Sequence, residues 1–272
     1  MIKKAKAMQG SANLNVMIKA ARKAGRLLVK DFREVENLQG TSAAASDFTA
    51  RSMIAAEAAL REELSLARDN YGWLSPQAGD VPGNDPTRRW IVDPLNGRIN
   101  FMHGQPCWAV CIALEHKGAI TAAVIYDAAK DEMFHAEKGT GAWLNDKNRL
   151  RASNRRRLSD SLVATRIPAI GHKTLPASIR DLARIMPEIA GLRQSDAPAL
   201  DLAALAAGRL DAFYARELDI WDMVAGDLIA REAGALTGAL REDQILYESG
   251  SILAASNDLF ATFARLMRAP AE

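Results

Sequence analysis

One stretch constrains this chain more than any other: the apolar run Trp90-Ile91-Val92, closed by Asp93-Pro94 and followed by Leu95-Asn96-Gly97-Arg98 and Ile99-Asn100-Phe101. The β-branched residues demand a strand, and the proline and glycine interrupt its continuation. The segment therefore reads as a strand that delivers side chains into a loop, which in turn opens a helix.

The rest of the chain supplies both kinds of element. From about Ala12 to Glu34 apolar residues recur at helical spacing (Leu14, Met17, Ile18, Ala21, Ala24, Leu27, Leu28), and Thr49 to Leu66 repeats the pattern. Between them Gly40 to Ser46 is small and polar, which predicts a loop or short hairpin. Beyond Trp90 the pattern becomes strand-like. Val110 to Leu114 and Ile120 to Tyr126 form a buried hairpin about the turn His116-Lys117-Gly118, continued by Glu132 to Ala136 and a turn at Gly139 to Gly141. Helices are predicted over Ser178 to Pro187, Leu200 to Arg209 and Met223 to Ala233, with a short strand at Asp211 to Ala215. This alternation implies layered α/β, with helices packed on mixed sheets. We expect one domain over 1–272, with an N-terminal lobe of about 1–150 and a C-terminal lobe of about 151–272. The basic stretch Arg149 to Arg157 would be a solvated connector, because no aromatics interleave with its arginines as a nucleic-acid surface requires.

Composition narrows the function classes. A chain of 272 residues with 49% hydrophobic content, 25% charged content and net charge +2 can bury a full core, and its global charge recruits neither nucleic acid nor a membrane. The basic start Met1-Ile2-Lys3-Lys4 has no apolar segment after it, and no run approaches 18 apolar residues, so a cytoplasmic protein is expected. The two cysteines, Cys107 and Cys111, share one face of an apolar run, which favours buried thiols over a metal or redox pair.

The inositol monophosphatase family carries Asp-Pro-(Leu/Ile)-Asp-Gly-Thr-Thr-Asn-Phe where this chain has Asp93 to Phe101, and the chain resembles that family over nearly its whole length. The resemblance implies a layered α-β-α-β-α sugar-phosphatase fold, a homodimer, and Mg²⁺-dependent hydrolysis of inositol or sugar monophosphates. Such hydrolysis needs charge stabilised at both the attacking and leaving oxygens, and carboxylate-held Mg²⁺ ions provide it. In the family frame Asp93, the carbonyl of Leu95 and Asp222 of the Trp221-Asp222 pair match metal ligands. An acid in the first turn of a helix is also ordinary, being favoured by the helix dipole. It is Asp93 in the same frame that gives Asp222 a candidate role.

Other matched positions carry different residues. The family's Gly-Glu-Glu turn falls on Ser75-Pro76-Gln77, its second loop aspartate on Asn96, its water-orienting aspartate on Met53 and that residue's threonine partner on Arg98. A lysine usual ahead of the second helix falls on Ala43. On the substrate side, the Gly-(Ser/Thr)-Ala stretch appears as Asp196-Ala197-Pro198, and an acid that contacts a ring hydroxyl falls at Ala215. Four carboxylates lost and one guanidinium gained shift the local charge by roughly five units against a divalent cation. We therefore expect an impaired or silent family member with weak or absent Mg²⁺ binding, acting in binding or regulation. The alternative is a working Mg²⁺-dependent phosphatase. Gly97, Arg98 and Ile99, at the start of the helix, form a candidate anion site for inorganic phosphate or a small phosphorylated molecule. The competing reading has Arg98 folded back onto Asp93 or Asp222 as an internal salt bridge.

Overall fold

The computed structural model describes residues 10–35 and 42–269. Two helices, α1 (Ala12–Val35) and α2 (Ser42–Ala67), precede an eight-stranded mixed sheet. Its strands are β1 (Tyr71–Ser75), β2 (Gly79–Val81), β3 (Asp85–Asn96), β4 (Ala109–His116), β5 (Ala119–Asp127), β6 (Glu132–Glu137), β7 (Gly141–Leu144) and β8 (Asn148–Arg149), in the order β2-β1-β3-β4-β5-β6-β7-β8. A short helix α3 (Arg98–Met102) joins β3 to β4. The second sheet takes β9 (Leu162–Arg166), β10 (Gly191–Arg193), β11 (Ala212–Ala215), β12 (Ala235–Gly238) and β13 (Ile252–Ser256), in the order β10-β9-β11-β13-β12. Helices α4 (Leu175–Ile185), α5 (Pro198–Ala206), α6 (Ile220–Glu232), α7 (Leu246–Ser249) and α8 (Asn257–Arg268) complete the chain.

Strand alternation dictates the layering. On β3, Trp90 and Val92 face α1 and α2, where they join Leu14, Met17 and Leu60 in one core. Ile91 points the other way, into a core shared with Ala203 of α5 and Val224 of α6. Those two helices bury their opposite sides, Leu202 and Met223, against Phe213 and Ala254 of the second sheet. Tyr214 and Leu253, on that sheet's far face, pack with Ile185 of α4 and with Phe263 and Met267 of α8. The result is α-β-α-β-α, as the resemblance implies. The central layer is tight: a Cβ added to Gly226 of α6 would come within 2.5 Å of the Leu202 Cβ, so only glycine lets α5 and α6 approach so closely.

Several elements differ from the sequence reading. Within the expected loop Gly40 to Ser46, Gly40 and Thr41 lie outside the described residues, as does the basic start, while α2 already begins at Ser42. The alanines at 43–45 are strong helix formers, and Ala45 is buried with its carbonyl accepting the Thr49 hydroxyl at 2.8 Å. Cys107 precedes β4 and is half-buried, whereas Cys111 lies inside the strand; both are free thiols. Strands β9, β10, β12 and β13 and helix α8 were not anticipated, and helix α5 ends at Ala206, with the left-handed Gly208 close behind it. Among the described residues no helix is long and apolar enough to cross a membrane.

The basic connector between the sheets is tied down by one buried acid. Asp211 accepts bonds from the Ser153 hydroxyl at 2.5 Å, Arg155 Nη1 at 3.0 Å and the Leu162 amide at 2.7 Å. Arg156 instead pairs with the exposed Asp258. Asp211→Ala should therefore lower the unfolding free energy by about 1–3 kcal/mol in urea titrations, because it leaves three part-buried hydrogen bonds unmade. Arg156→Ala should leave the midpoint nearly unchanged. Equal losses in the two variants would remove Asp211 from this anchoring role.

Candidate functional site

The register between β3 and β4 shifts between Asp93 and Asn96, so the end of β3 is bulged. A bulge frees local ladder groups and re-aims side chains. Here it places Asp93, opposite Cys111 in the register, and Asn96, opposite Ala109, at the carboxyl end of the strand. Gly97 then turns the chain with φ 90°, and a Cβ there would lie 2.6 Å from the Cys107 carbonyl oxygen. Glycine is required on both counts. Asn100 of α3 fixes the neighbouring loop by donating to the Cys107 carbonyl at 2.8 Å and to the Ser195 carbonyl at 2.6 Å.

Asp222 arrives from the other side of the cleft, in the first turn of α6, where its Oδ2 accepts the Asp219 amide at 3.1 Å. Asn96 joins the two acids. Its Nδ2 donates to Asp93 Oδ2 at 2.9 Å and to Asp222 Oδ1 at 3.0 Å, while its Oδ1 accepts the Ala199 amide at 3.1 Å. Asp93 Oδ1 accepts the Leu95 amide at 3.0 Å. All four carboxylate oxygens thus hold a protein N–H, and the two acids lie within two hydrogen-bond lengths of each other. Burial raises the pKa of Asp93, and the charge of Asp222 pushes in the same direction. Asp222 is raised as well, by burial first, with Arg166 opposing.

Around this centre is a cleft of about 380 Å³. Arg98 stands exposed at its rim and pairs with neither Asp93 nor Asp222, so the internal salt bridge does not form. The left-handed turn at Gly97 leaves Arg98 on the outside, and the Asn96 amide occupies the space between the acids. Ile99 is exposed in the same wall. Asp196 lines the cleft with φ 57°, the next residue Ala197 is buried, and Ala215 is buried on β11.

The remaining matched positions lie away from the cleft lining. Met53 is half-buried against the α1–α2 core, and Pro76 and Gln77 are exposed in the turn between β1 and β2. Ser75, ahead of that turn, donates to the buried Glu57 carboxylate, which also accepts Trp73 Nε1 at 3.1 Å. Sequence reasoning passed over Arg166, which ends β9 and lines the same cleft as Arg98. It is steadied by the Glu217 carbonyl at 3.1 Å and lies 3.7 Å from Asp196. Ser46 and Met102 also line the cleft unannounced. Nothing in the local sequence of Arg166 distinguishes it, because its place depends on the pairing of β9 with β11.

Comparison with known proteins agrees with this architecture. The profile of the inositol monophosphatase family matches residues 11–269. An inositol-1-monophosphatase of Rhizobium meliloti (strain 1021) is 41% identical over 263 residues, which is 97% of this chain and 98% of that protein. The Nus factor SuhB of Escherichia coli (strain K12) is 34% identical over 241 residues, covering 89% and 90%. Among solved structures, the extragenic suppressor protein suhB of Bartonella henselae superposes with TM-score 0.87 at 40% identity, over 95% of this chain and 99% of that one.

The wall behind the cleft carries a pH-sensitive group. Asp201 on α5 accepts the Ser195 hydroxyl at 2.7 Å, and burial lifts its pKa to about 7. A carboxyl whose pKa is raised by folding stabilises the native state fully below its unfolded value, near 4, and that contribution is lost as pH rises through about 7. Denaturation midpoints should therefore fall between pH 4 and pH 8, and Asp201→Asn should flatten part of that fall. An unchanged pH profile in the variant would remove Asp201 as a source.

Proposed function

Because the chain belongs to the inositol monophosphatase family, we propose that it is a member in which an Asn96 amide lock replaces metal-assisted hydrolysis, leaving a binding or regulatory protein. The observation that carries this reading is the amide between the two acids. A Mg²⁺ site asks for oxygen donors facing the ion. Asn96 turns its N–H₂ toward that space and commits its oxygen to the Ala199 amide. Among the described residues, no group of three or more His, Cys, Asp or Glu side chains is arranged to hold a metal ion. Met53 and Arg98, at the water-orienting positions of the family frame, offer no general base. The residues present therefore do not fit a two-Mg²⁺ centre.

What the cleft retains is two cationic side chains in its lining. Arg98 has no ion pair among the described residues, and Arg166, 3.7 Å from Asp196, lines the same cleft, a pair suited to hold phosphate or a phosphorylated small molecule through guanidinium N–H groups. The second reading, a Mg²⁺-dependent phosphatase of inositol or sugar monophosphates, rests on the convergence of Asp93 with Asp222. Identity of 41% to a relative named inositol-1-monophosphatase also favours it.

Phosphate release from inositol monophosphate, followed across a Mg²⁺ titration, separates the two. The proposal expects release indistinguishable from an EDTA control and no Mg²⁺-dependent rise in melting temperature, since only an ion bound by the native state stabilises it. Restoring Pro76→Glu, Asn96→Asp, Met53→Asp and Arg98→Thr together should recover more turnover than any single change, because residues acting as a unit are non-additive. Robust Mg²⁺-dependent turnover by the unaltered chain would overturn the proposal. Calorimetric titration with phosphate in EDTA then tests the cleft, with binding expected to be lost in Arg98→Thr.

A further inference from the structure

A large cavity lies outside the cleft, in the outer layer, where α4 and α8 meet beside the Leu240 to Glu242 loop. It encloses about 1140 Å³. Six arginines line it: Arg180, Arg184, Arg216, Arg241, Arg265 and Arg268. Only two acids, Asp181 and Glu242, accompany them. The lining alone therefore carries more positive charge than the whole chain, whose net charge is +2. Such local excess is costly unless an anion offsets it.

How the guanidiniums are held matters more than their number. Arg268 donates to the Leu240 carbonyl at 3.1 Å and to the Ala239 carbonyl at 2.9 Å, while its Nη1 reaches Glu242 at 2.7 Å. Arg184 donates to the Met267 carbonyl at 3.2 Å. Backbone carbonyls fix a side chain without cancelling its charge, so Arg184 and Arg268 are preorganised, although Glu242 offsets the charge of Arg268. Arg216 is neutralised in a two-bond pair with Asp181, and Arg241 is paired with Asp243 outside the lining. Arg180 and Arg265, one from each helix, are exposed and have no hydrogen-bond or ion-pair partner among the described residues. The floor between them is apolar, with Leu240, Phe260 and Met267.

We propose that this groove binds a polyphosphorylated small molecule of the size and charge of a nucleoside triphosphate. Closely spaced phosphates match guanidinium forks, which engage phosphate oxygens through paired N–H donors. The ring of Phe260 offers a surface for the uncharged part of the ligand. A nucleic-acid strand fits less well, since it asks for a succession of aromatic platforms along a basic track and the groove has only one. Nothing here depends on the state of the Asp93 cleft.

Isothermal titration of the full chain in EDTA, with ATP, inorganic triphosphate, AMP and a 12-nucleotide single strand as probes, tests this. ATP and triphosphate should saturate one site, with AMP at least ten-fold weaker. Arg180→Glu combined with Arg265→Glu should weaken ATP at least ten-fold, with far-ultraviolet circular dichroism and melting temperature retained. The neutral pair Arg180→Gln with Arg265→Gln should act in the same direction, should the reversed charges disturb folding. Arg98→Thr should leave ATP binding unchanged, which separates this groove from the cleft. Absence of saturable binding, indifference to both double variants, sensitivity to Arg98→Thr, or a strand that binds more tightly than ATP and displaces it would each overturn the proposal.

Discussion

The site is organised around one amide. Two carboxylates 129 residues apart in sequence, at the end of β3 and the start of α6, are brought into a buried space where their charges oppose each other. Desolvation and like charge both act against ionisation there, and a fold needs something positive or hydrogen-donating between such groups. Asn96 supplies two N–H donors to that space and anchors itself through its carbonyl to the head of α5. An aspartate in its place would be nearly the same shape but would add a third charge and remove both donors. The same few cubic ångströms thus accept either a cation among acids or an amide among acids.

The surrounding architecture explains why that amide is so well placed. The bulge at the end of β3 turns both Asp93 and Asn96 toward the cleft, and the close approach of Gly97 to Cys107 and Ala197 locks the loop against its neighbours. Asn100 bonds the carbonyls of Cys107 and Ser195, coupling α3 to the segment that leads into α5. The Ala199 amide that holds Asn96 is therefore itself positioned by the site loop. Mutual dependence of this kind favours one arrangement over many, since each contact is consistent with the others.

How much of this was legible in the sequence follows from the range of the interactions involved. The α1 and α2 periodicities, the hairpin of β4 and β5, and the strand-to-helix turn at Gly97 are local patterns, and the structure keeps them. The Ser42 start of α2 was misread because small residues suggest a loop, although three alanines favour a helix once Ala45 has a core to join. Convergence of Asp93 with Asp222 was legible only through the family frame. The bridging role of Asn96 was not, because an isolated asparagine gives no sign of which acids it will meet. Arg166 escaped notice for the same reason, and of the two paths left open for Arg98 the structure keeps the outward one, with no bridge to Asp93 or Asp222.

Charge distribution ties the cleft to the outer layer. Within the cleft, Asp93 and Asp222 are satisfied internally by amides, and Arg98 and Arg166 stand in the lining; in the α4–α8 groove, Arg216, Arg241 and Arg268 pair with acids, carbonyls also hold Arg184 and Arg268, and Arg180 and Arg265 have no partner among the described residues. Each arrangement is stable for a definite reason, donors offered to anions in the first and dipoles offered to cations in the second. The first places N–H donors rather than oxygens between the acids, while the second places more arginines than acids in one lining. With a net charge of only +2, long-range attraction by the whole molecule is weak, so recognition depends on these local imbalances. A scaffold built around buried acids thus presents arginines in its cleft and on its outer layer, and it is on this imbalance that the proposed recognition of anions rests.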